Sequence, residues 1–362
     1  MKIIFRTDAS SEIGTGHVMR CLTLAEQLRN AGASVTFICR ELKGDLIHLI
    51  KKKNFSVYVL PYSGAAHVGE SPDHPHVHWL RTDWRVDSKQ TKEYLNNEQP
   101  IDWLIIDHYA IDAKWEEQMK SSVRKIMVID DLADRPHVCD ILLDQNLYKN
   151  MENRYTGLVP ESSLSLLGPS YILFRPEFRK ARSRLHNRKG KVKRVLIAFG
   201  GSDPTNETIK AMNALKHLHT IDFYVDVVVG ETNLKKKKIK DMCEGFPNIT
   251  YHCQIDYMAD LMLRADLALG GGGSTTWERC YLGLPAVTIE MAVNQSEILI
   301  LLADKGAICH LGKSENVGES EIAKCLERLL KNPSEIKRMA EAALALISNH
   351  KEGAVIRHIM EG

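Results

Sequence analysis

A loop near the start of the chain combines two glycines with one histidine. Residues 6–20 read RTDASSEIGTGHVMR and follow a short apolar stretch that predicts a strand. Gly14 and Gly16 permit a tight turn and a close approach of the backbone to a ligand. His17 begins the helix predicted over His17–Arg29, where the helix dipole favours a neutral imidazole. A neutral imidazole at the edge of a crevice can act as a general base; the alternative is a histidine that only caps the helix.

A second loop combines four glycines with a serine and a glutamate. Residues 267–278 read LALGGGGSTTWE, so an apolar strand ends in four glycines and we expect Ser274 to cap the helix that follows. Free N–H groups at such a helix start bind phosphate oxygens, and the missing Walker lysine excludes an NTP-hydrolysing loop. Glu278, one turn later, is placed to accept hydrogen bonds from both hydroxyls of a ribose. The alternative is a turn without a ligand; the motif favours a nucleotide site at Gly271, Gly272, Gly273, Ser274 and Glu278.

Two weaker motifs occur in the same half of the chain. Gly200, Gly201 and Ser202 follow a predicted strand and form another turn that a ligand can approach closely. Asn294 and Gln295 also follow a predicted strand, where their amides could bind sugar hydroxyls or acetamido groups. By themselves these two amides are equally typical of an ordinary helix cap.

We expect neither a metal nor a cofactor. The first loop is not a dinucleotide fingerprint, because the third glycine would have to stand at Met19. Asp130 and Asp131 are adjacent and lack the spacer that lets two side chains share one cation. No triplet of the DxD type stands in a suitable turn. Metal-free chemistry is therefore preferred.

The stretch 63–92 is the least regular part of the sequence. Three histidines at alternate positions could bind a metal from one strand face: His74, His76 and His78. Pro75 interrupts that strand, and no carboxylate or cysteine stands at ligand spacing. We favour a surface loop.

The order of strand, turn and helix runs through the chain twice, which predicts two Rossmann-like parallel α/β domains. The predicted division is an N-terminal domain, a basic linker, a C-terminal domain and a last helix packing back on the first domain: 1–178, 179–193, 194–345 and 346–362. Ten lysines and arginines lie within Arg175–Arg194 without interleaved aromatics. A solvated linker is therefore favoured over a nucleic-acid arm.

The composition restricts the class of protein. The 362 residues include 48 Lys and Arg against 46 Asp and Glu, so the net charge of +2 does not suggest a nucleic-acid partner. No apolar run approaches the roughly 18 residues of a membrane span, and charges interrupt the N-terminal stretch where a signal peptide would be apolar. The 8 cysteines form no CxxC pair, which is typical of a reduced, cytoplasmic protein. The oligomeric state is left open, with a monomer favoured.

The second domain has phosphate-binding turns, and the first has a histidine on the facing edge. We expect both domains to bind the same ligand. A nucleoside diphosphate sugar in a cleft between the domains would place its phosphates at the turns and its sugar at the histidine. The sequence thus predicts the GT-B arrangement of two Rossmann-like domains facing an interdomain cleft.

The first loop also carries a resemblance to a known family. The pattern R-x-D-x-S-x-x-I-G-x-G-H-x-M-R-C-L over 6–22 resembles the start of the PseG-type UDP-sugar hydrolases of pseudaminic acid biosynthesis. Also similar are the runs IDDLADR at 129–135, CDILLDQN at 139–146 and LGPSY at 167–171. Together with the glycine turns and the Asn-Gln pair, the resemblance covers residue 2 to about residue 310.

The resemblance implies hydrolysis of UDP-2,4-diacetamido-2,4,6-trideoxy-β-L-altropyranose to UDP and the free sugar. It implies a GT-B fold related to the peptidoglycan N-acetylglucosaminyltransferase, with His17 as the catalytic residue. The implied UDP site comprises Gly200, Gly201, Ser202, Gly271, Gly272, Gly273, Ser274 and Glu278. The implied substrate-binding residues are Asp8, Gly14, Gly16, Arg20, Tyr109 and Asn294. The chain is longer than compact family members, and spore-coat polysaccharide proteins are also similar, so the sugar itself can differ.

The expected activity is that of an inverting, metal-independent hydrolase in which water replaces the acceptor of a glycosyltransferase. Two alternatives stay open. One is a GT-B glycosyltransferase that uses a UDP-sugar in spore-coat or surface polysaccharide assembly. The other is a non-catalytic nucleotide-sugar-binding protein.

Overall fold

The computed structural model describes residues 1–62, 76–218 and 222–362. The chain divides into two compact units. Unit 1 consists of Met1–Asn146, Asn150–Leu173 and Lys351–Gly362, and unit 2 consists of Leu147–Lys149 and Phe174–His350. The predicted boundaries stood at residues 178, 194 and 345.

The described part of unit 1 contains a seven-stranded parallel sheet in the order β3-β2-β1-β4-β5-β6-β7. Its strands are β1 Lys2–Thr7, β2 Ser34–Arg40, β3 Ser56–Leu60, β4 Trp103–Asp107, β5 Lys125–Ile129, β6 Ile141–Asp144 and β7 Leu164–Leu167. The strand order reverses between β1 and β4. Open parallel sheets bind ligands at the carboxyl ends of the strands beside such a reversal.

Helices cover both faces of this sheet: α1 Gly16–Asn30, α2 Ile47–Lys52, α3 Trp84–Asn97 and α4 Ala113–Glu117. Helix α1 is close to its predicted bounds. Its apolar residues recur at helical spacing and are buried in the core of unit 1: Val18, Cys21, Leu22, Leu24, Ala25 and Leu28. Single 3-10 turns lie at Val77–Leu80, Met151–Asn153 and Pro169–Tyr171.

The expectation of a loop over 63–92 is wrong for its last part, because α3 begins at Trp84. The Asp83 carboxylate caps this helix by accepting the Arg85 backbone N–H at 2.8 Å. The face that α3 buries is mostly polar, with Asp87, Ser88, Thr91 and Leu95. Such a face has no apolar periodicity, so the sequence pattern did not reveal a helix.

Buried charges join α3 to β1 and β2. Asp87 accepts hydrogen bonds from the guanidinium groups of Arg6 and Arg40, each at 2.7 Å, and from Trp115 Nε1 at 2.9 Å. Arg6, Arg40 and Asp87 are fully buried. Burial acts to raise the pKa of Asp87, but the Arg6 charge and hydrogen bond outweigh it and lower that pKa.

Of the three alternating histidines, His74 lies outside the described residues. The ring of His76 instead contacts Trp79 and Tyr109, with centroids 4.6 and 5.4 Å apart. Nowhere in the described ranges do three His, Cys, Asp or Glu side chains form a group that could hold a metal ion.

The described part of unit 2 contains a six-stranded parallel sheet in the order β10-β9-β8-β11-β12-β13. Its strands are β8 Arg194–Ala198, β9 Tyr224–Val229, β10 Ile249–Cys253, β11 Leu267–Gly270, β12 Ala286–Glu290 and β13 Ile308–Lys313. The order reverses between β8 and β11, so unit 2 has the same kind of ligand-binding edge as unit 1.

The helices that follow in the chain are α5 Pro176–Arg182, α6 Glu207–Leu215, α7 Lys236–Glu244, α8 Met258–Arg264, α9 Thr275–Tyr281, α10 Ser296–Asp304, α11 Glu319–Leu330, α12 Pro333–Leu346 and α13 Ala354–Glu361. Helix α13 packs in unit 1, where Val355 and Ile359 join the core and Trp103 Nε1 donates to the Ile359 carbonyl at 3.0 Å. No helix within the described ranges is long and apolar enough to cross a membrane.

The basic stretch before β8 is not solvated throughout. Arg188 is only 8% exposed, and its guanidinium donates to backbone carbonyls on both sides of β11. The acceptors are Met262, Ala265, Leu282 and Gly283. Burial lowers the pKa of Arg188 to about 10. This arginine therefore fastens the stretch to unit 2.

Arg188→Ala is expected to destabilise unit 2 by about 2–4 kcal/mol, because it leaves buried carbonyl groups without a donor. Arg184→Ala is the matched control: Arg184 pairs with Asp260 at 2.6 Å, but its side chain is 58% exposed. An exposed pair contributes less than about 1 kcal/mol. Denaturant unfolding measures the free energy of unfolding of both variants. An equal loss in the two would show that Arg188 does not stabilise unit 2 more than an exposed ion pair does.

Candidate functional site

The carboxyl ends of β1 and β4 bring His17 against Asp107. His17 Nδ1 lies 2.6 Å from an Asp107 carboxylate oxygen, and His17 is only 7% exposed. Burial acts to raise the pKa of Asp107, but Arg20 and His17 outweigh it and hold that pKa well below its ordinary value. An ionised carboxylate can only accept, so Nδ1 carries the proton and Nε2 of the neutral ring has a free lone pair. None of the described residues hydrogen-bonds to Nε2.

Arg20, one turn after His17 on α1, holds this pair in place. Its guanidinium donates to both Asp107 oxygens, at 2.7 and 2.8 Å, and to Asp131 at 3.3 Å. The predicted residue Arg20 is thus joined to His17 through one carboxylate. The histidine is oriented by a carboxylate that another residue holds in place. This arrangement suits general-base catalysis.

Tyr109 and Asn146 complete this cluster from β4 and β6. The Tyr109 hydroxyl donates to Asp131, and Asn146 Nδ2 donates to the same carboxylate at 3.1 Å. Burial, followed by the Asp131 charge, raises the pKa of Tyr109. The ring of Tyr109 stands edge-on to His17, with centroids 4.4 Å apart. The structure therefore brings Tyr109 together with His17; that Tyr109 binds substrate, as the resemblance implies, stays a prediction.

Asp8 lies beneath this site and not on its surface. It is fully buried, and its Oδ1 accepts from Arg6 and from the Arg40 backbone N–H, both at 2.7 Å. Its Oδ2 lies 3.2 Å from His108 Nε2. Burial acts to raise the pKa of Asp8, but Arg6 and His108 outweigh it and lower that pKa. Asp8 is thus placed to support the site; its contact with a substrate stays a prediction.

Two glycines, Gly14 and Gly16, lie just before His17. Gly14 has φ of +80°, which favours glycine, and its N–H donates to the Ser10 carbonyl at 2.9 Å. A Cβ at Gly14 or Gly16 would have no atom of the described residues within 4 Å.

In unit 2, Gly270 is the last residue of β11, and Gly271, Gly272 and Gly273 follow it. Gly270 is required by packing, because a Cβ there would stand 2.6 Å from Arg279 and 2.7 Å from the Ala198 carbonyl. Gly273 faces open space, and no described group accepts the N–H of Gly273 or Ser274. Ser274 is exposed and precedes α9, but its side chain makes no capping hydrogen bond, unlike the cap we expected.

Glu278 lies one turn into α9 and is paired on one side only. Its Oε1 accepts from Arg175 Nε at 2.9 Å, whereas the buried Oε2 has no partner among the described residues. Burial raises the pKa of Glu278, and Arg175 opposes the rise. A buried carboxylate oxygen without a donor is costly unless a ligand supplies one.

The remaining predicted residues lie at the same end of the sheet of unit 2. Gly200, with φ of +87°, Gly201 and Ser202 follow β8, next to β11. Asn294 lies in the 3-10 turn Val293–Gln295 after β12. Gln295 has a structural role that the sequence did not indicate. Its Oε1 accepts hydrogen bonds from the N–H of Gly272 at 3.1 Å and from the N–H of Met291 at 3.0 Å.

Sequence reasoning missed two carboxylates of the site in unit 1. Asp107 is the last residue of β4, and Asp131 follows β5. The carboxyl ends of these neighbouring parallel strands lie at the same edge of the sheet. An acidic residue at the carboxyl end of an apolar strand was the available signal. Without the strand order, nothing in the sequence pairs Asp107 with His17.

Comparison with curated proteins decides the family. The chain is 30% identical over 309 residues to the UDP-2,4-diacetamido-2,4,6-trideoxy-β-L-altropyranose hydrolase of Campylobacter jejuni, with 84% of this chain and 97% of that protein aligned. The chain belongs to the PseG-type family. Residues 195–355 also match the glycosyltransferase family 28 C-terminal domain.

Two further curated proteins are similar to this chain. The spore coat polysaccharide biosynthesis protein SpsG of Bacillus subtilis is 24% identical over 325 residues, covering 89% of this chain and 87% of that protein. An uncharacterized protein of Methanocaldococcus jannaschii is 28% identical over 295 residues, 80% of this chain; the chain spans only 55% of the length of that protein.

The PseG-type chain also resembles a solved glycosyltransferase. The crystal structure of Acinetobacter baumannii MurG aligns with a TM-score of 0.64 at 16% identity, over 99% of this chain and 98% of that one. With the parallel sheets described above, this similarity confirms the predicted GT-B fold of two Rossmann-like units.

Proposed function

We propose that this protein is an inverting, metal-independent hydrolase that splits a UDP-sugar into UDP and the free sugar. The observation that carries the proposal is the Asp107–His17 pair, which orients the imidazole and leaves its Nε2 without a hydrogen-bond partner among the described residues. Membership of the PseG-type family supports the same reaction, since its Campylobacter jejuni member is named for it.

In the proposed reaction, His17 Nε2 accepts a proton from water while the water oxygen attacks the anomeric carbon. The bond between that carbon and the UDP oxygen breaks, and UDP leaves from the opposite face of the sugar. Asp107 stabilises the imidazolium that forms, and Arg20 fixes Asp107. Water takes the place that an acceptor hydroxyl has in a glycosyltransferase.

We assign UDP to the turns of unit 2. The N–H groups of Gly273 and Ser274 would donate to the phosphates, with Gly200, Gly201 and Ser202 contributing from the neighbouring strand. Preorganised N–H donors stabilise charge that develops on a leaving group, which is the part a cation has in other enzymes. The turn at 271–274 thus supports chemistry without a metal.

The proposed sugar is a 2,4-diacetamido-2,4,6-trideoxy hexose, of the kind named for the Campylobacter jejuni relative. Asn294 would bind an acetamido group or hydroxyl from unit 2, and Gly14 and Gly16 would leave space for the sugar beside His17. The product would serve nonulosonic (pseudaminic) acid synthesis. The free, mostly buried cysteines of the structure support a cytoplasmic enzyme.

Glu278→Ala is expected to weaken UDP binding by about 1.5–3 kcal/mol, the range for hydrogen bonds to a charged group. The physical reason is that Oε2, which has no hydrogen-bond partner among the described residues, is assigned to a ribose hydroxyl. Calorimetric titration with UDP measures the change.

Glu177→Ala is the matched control, because Glu177 pairs with the same Arg175 at 3.0 Å but is 33% exposed. It should leave UDP affinity unchanged. Parental affinity in Glu278→Ala would assign Glu278 to a structural role beside Arg175.

The reaction class is tested with purified protein, EDTA and a UDP-diacetamido sugar. UDP release in plain buffer supports the hydrolase. Release that requires an added acceptor supports a glycosyltransferase, for which the family 28 match of residues 195–355 is the specific observation. Binding without release supports a nucleotide-sugar-binding protein, and activity restored only by Mg²⁺ or Mn²⁺ contradicts metal independence.

A further inference from the structure

An aromatic surface stands beside His17, and part of it comes from a segment that the sequence motifs do not cover. Trp79, in the 3-10 turn Val77–Leu80, stacks on Tyr109 with ring centroids 5.6 Å apart. The centroid of Trp79 is 6.3 Å from that of His17, edge to face. A group that contacts the imidazole is therefore within reach of the indole.

A hydrogen bond and an ion pair connect this turn to the loop that carries His17. Glu12, within that loop, accepts from His78 at 2.8 Å and from Arg81. Leu80 is fully buried in the core of unit 1. Trp79 is thus held between two fixed neighbours, which is the condition for a preorganised recognition surface.

The indole N–H of Trp79 is a hydrogen-bond donor for which the described part of the chain supplies no acceptor. Trp79 is half-buried, and no described residue accepts a hydrogen bond from its Nε1. The fully buried Trp103 and Trp115 both donate from Nε1, to the Ile359 carbonyl and to Asp87. Tryptophan N–H groups usually find such an acceptor when they are buried. A ligand that buries the indole of Trp79 beside the base would supply one.

We propose that Trp79 is a sugar-recognition residue of this enzyme, an inference that rests on the proposed function. Its ring would pack on the apolar C–H face of the sugar, and its Nε1–H would donate to an acetamido carbonyl. A deoxy sugar with two acetamido groups offers more apolar surface and more amide acceptors than a sugar with hydroxyls at those positions. Trp79 would therefore select diacetamido-deoxy sugars.

The test measures binding in a His17→Asn background, which prevents turnover. Calorimetry gives the dissociation constants for UDP and for the UDP-diacetamido sugar in that background and with Trp79→Ala or Trp79→Phe added. We expect Trp79→Ala to weaken binding of the UDP-sugar about tenfold, the size of one aromatic contact, and to leave UDP binding unchanged. Trp79→Phe keeps a ring without the donor, so it should lose only part of that affinity.

Trp84→Phe is the matched control, because Trp84 is also partly buried in unit 1 but begins α3 and is not in the aromatic surface. It should bind both ligands like the His17→Asn parent. Circular dichroism and thermal unfolding confirm that each variant is folded.

Unchanged affinity of folded Trp79→Ala for the UDP-sugar would overturn the proposal, and so would an equal loss for UDP. The outcome is independent of the reaction class. If the unsubstituted protein does not hydrolyse the UDP-sugar, the proposed hydrolase activity is contradicted. If Trp79→Ala does not weaken UDP-sugar binding more than UDP binding, only the proposed role of Trp79 is contradicted.

Discussion

His17→Asn is expected to reduce kcat by about 10²-fold or more while UDP affinity stays at the parental value. General-base catalysis contributes about 10²–10⁴-fold, or roughly 3–5 kcal/mol of barrier. Asparagine keeps a polar side chain but cannot take a proton from water. The Asp107 carboxylate would keep its hydrogen bonds from Arg20, so the surrounding structure is retained. Steady-state kinetics and UDP calorimetry measure the two effects.

The pH profile separates a base from a helix cap. The parental kcat/KM should fall on acidification, because a protonated imidazole cannot accept a proton, and this limb should be absent from the residual activity of His17→Asn. Near-parental turnover would reassign His17 to capping. His108 would then be the next candidate, although it is buried, with Nδ1 accepting from the Ala110 N–H and Nε2 facing Asp8.

Asp87→Ala is expected to lower the free energy of unfolding of unit 1 by about 3–5 kcal/mol. It removes the carboxylate that neutralises two fully buried guanidinium groups, those of Arg6 and Arg40, and loss of one side of a buried ion pair leaves uncompensated charge. Denaturant unfolding followed by fluorescence measures the loss.

Asp83→Ala is the matched control from the same helix. Asp83 caps α3, and its side chain is 49% exposed and pairs, among the described residues, only with the exposed Arg85, so its loss should cost about 1 kcal/mol. Equal effects of the two substitutions would contradict the buried network.

The buried carboxylates of unit 1 predict that its fold is sensitive to acid. The pKa values of Asp8, Asp87 and Asp107 are all lowered in the folded state. A lowered folded-state pKa contributes stability above the unfolded value of about 3.9, and that stability is lost as the pH falls below it. Removing Asp87 should therefore flatten the dependence of unfolding free energy on pH in the acid range.

Regular apolar patterns allowed much of the fold to be predicted. Helix α1, with its buried face from Val18 to Leu28, and the strand before Gly271 both lie where periodicity and glycine spacing placed them. Helix α3 was not predicted, because the face that it buries is mostly polar and includes the buried, ionised side chain of Asp87. Hydrogen bonds between side chains distant in the sequence leave no periodic signal.

The site was predictable only as separate pieces. His17 and Glu278 could be selected because each stands beside glycines at a helix start. Asp107 and Asp131 could not, because their proximity to His17 depends on β1 lying next to β4 and β4 next to β5. Arg188 was hidden by its basic neighbours, since composition does not distinguish a buried guanidinium from an exposed one.

Hydrolysis in H₂¹⁸O tests the central claim most directly. If His17 activates water for attack on the anomeric carbon, the bond that breaks is between that carbon and the UDP oxygen. Mass spectrometry should then find no ¹⁸O in the released UDP, and proton NMR should show the inverted anomer as the first product. Label in UDP, a retained anomer as the first product, or no UDP release without an added acceptor would contradict the account.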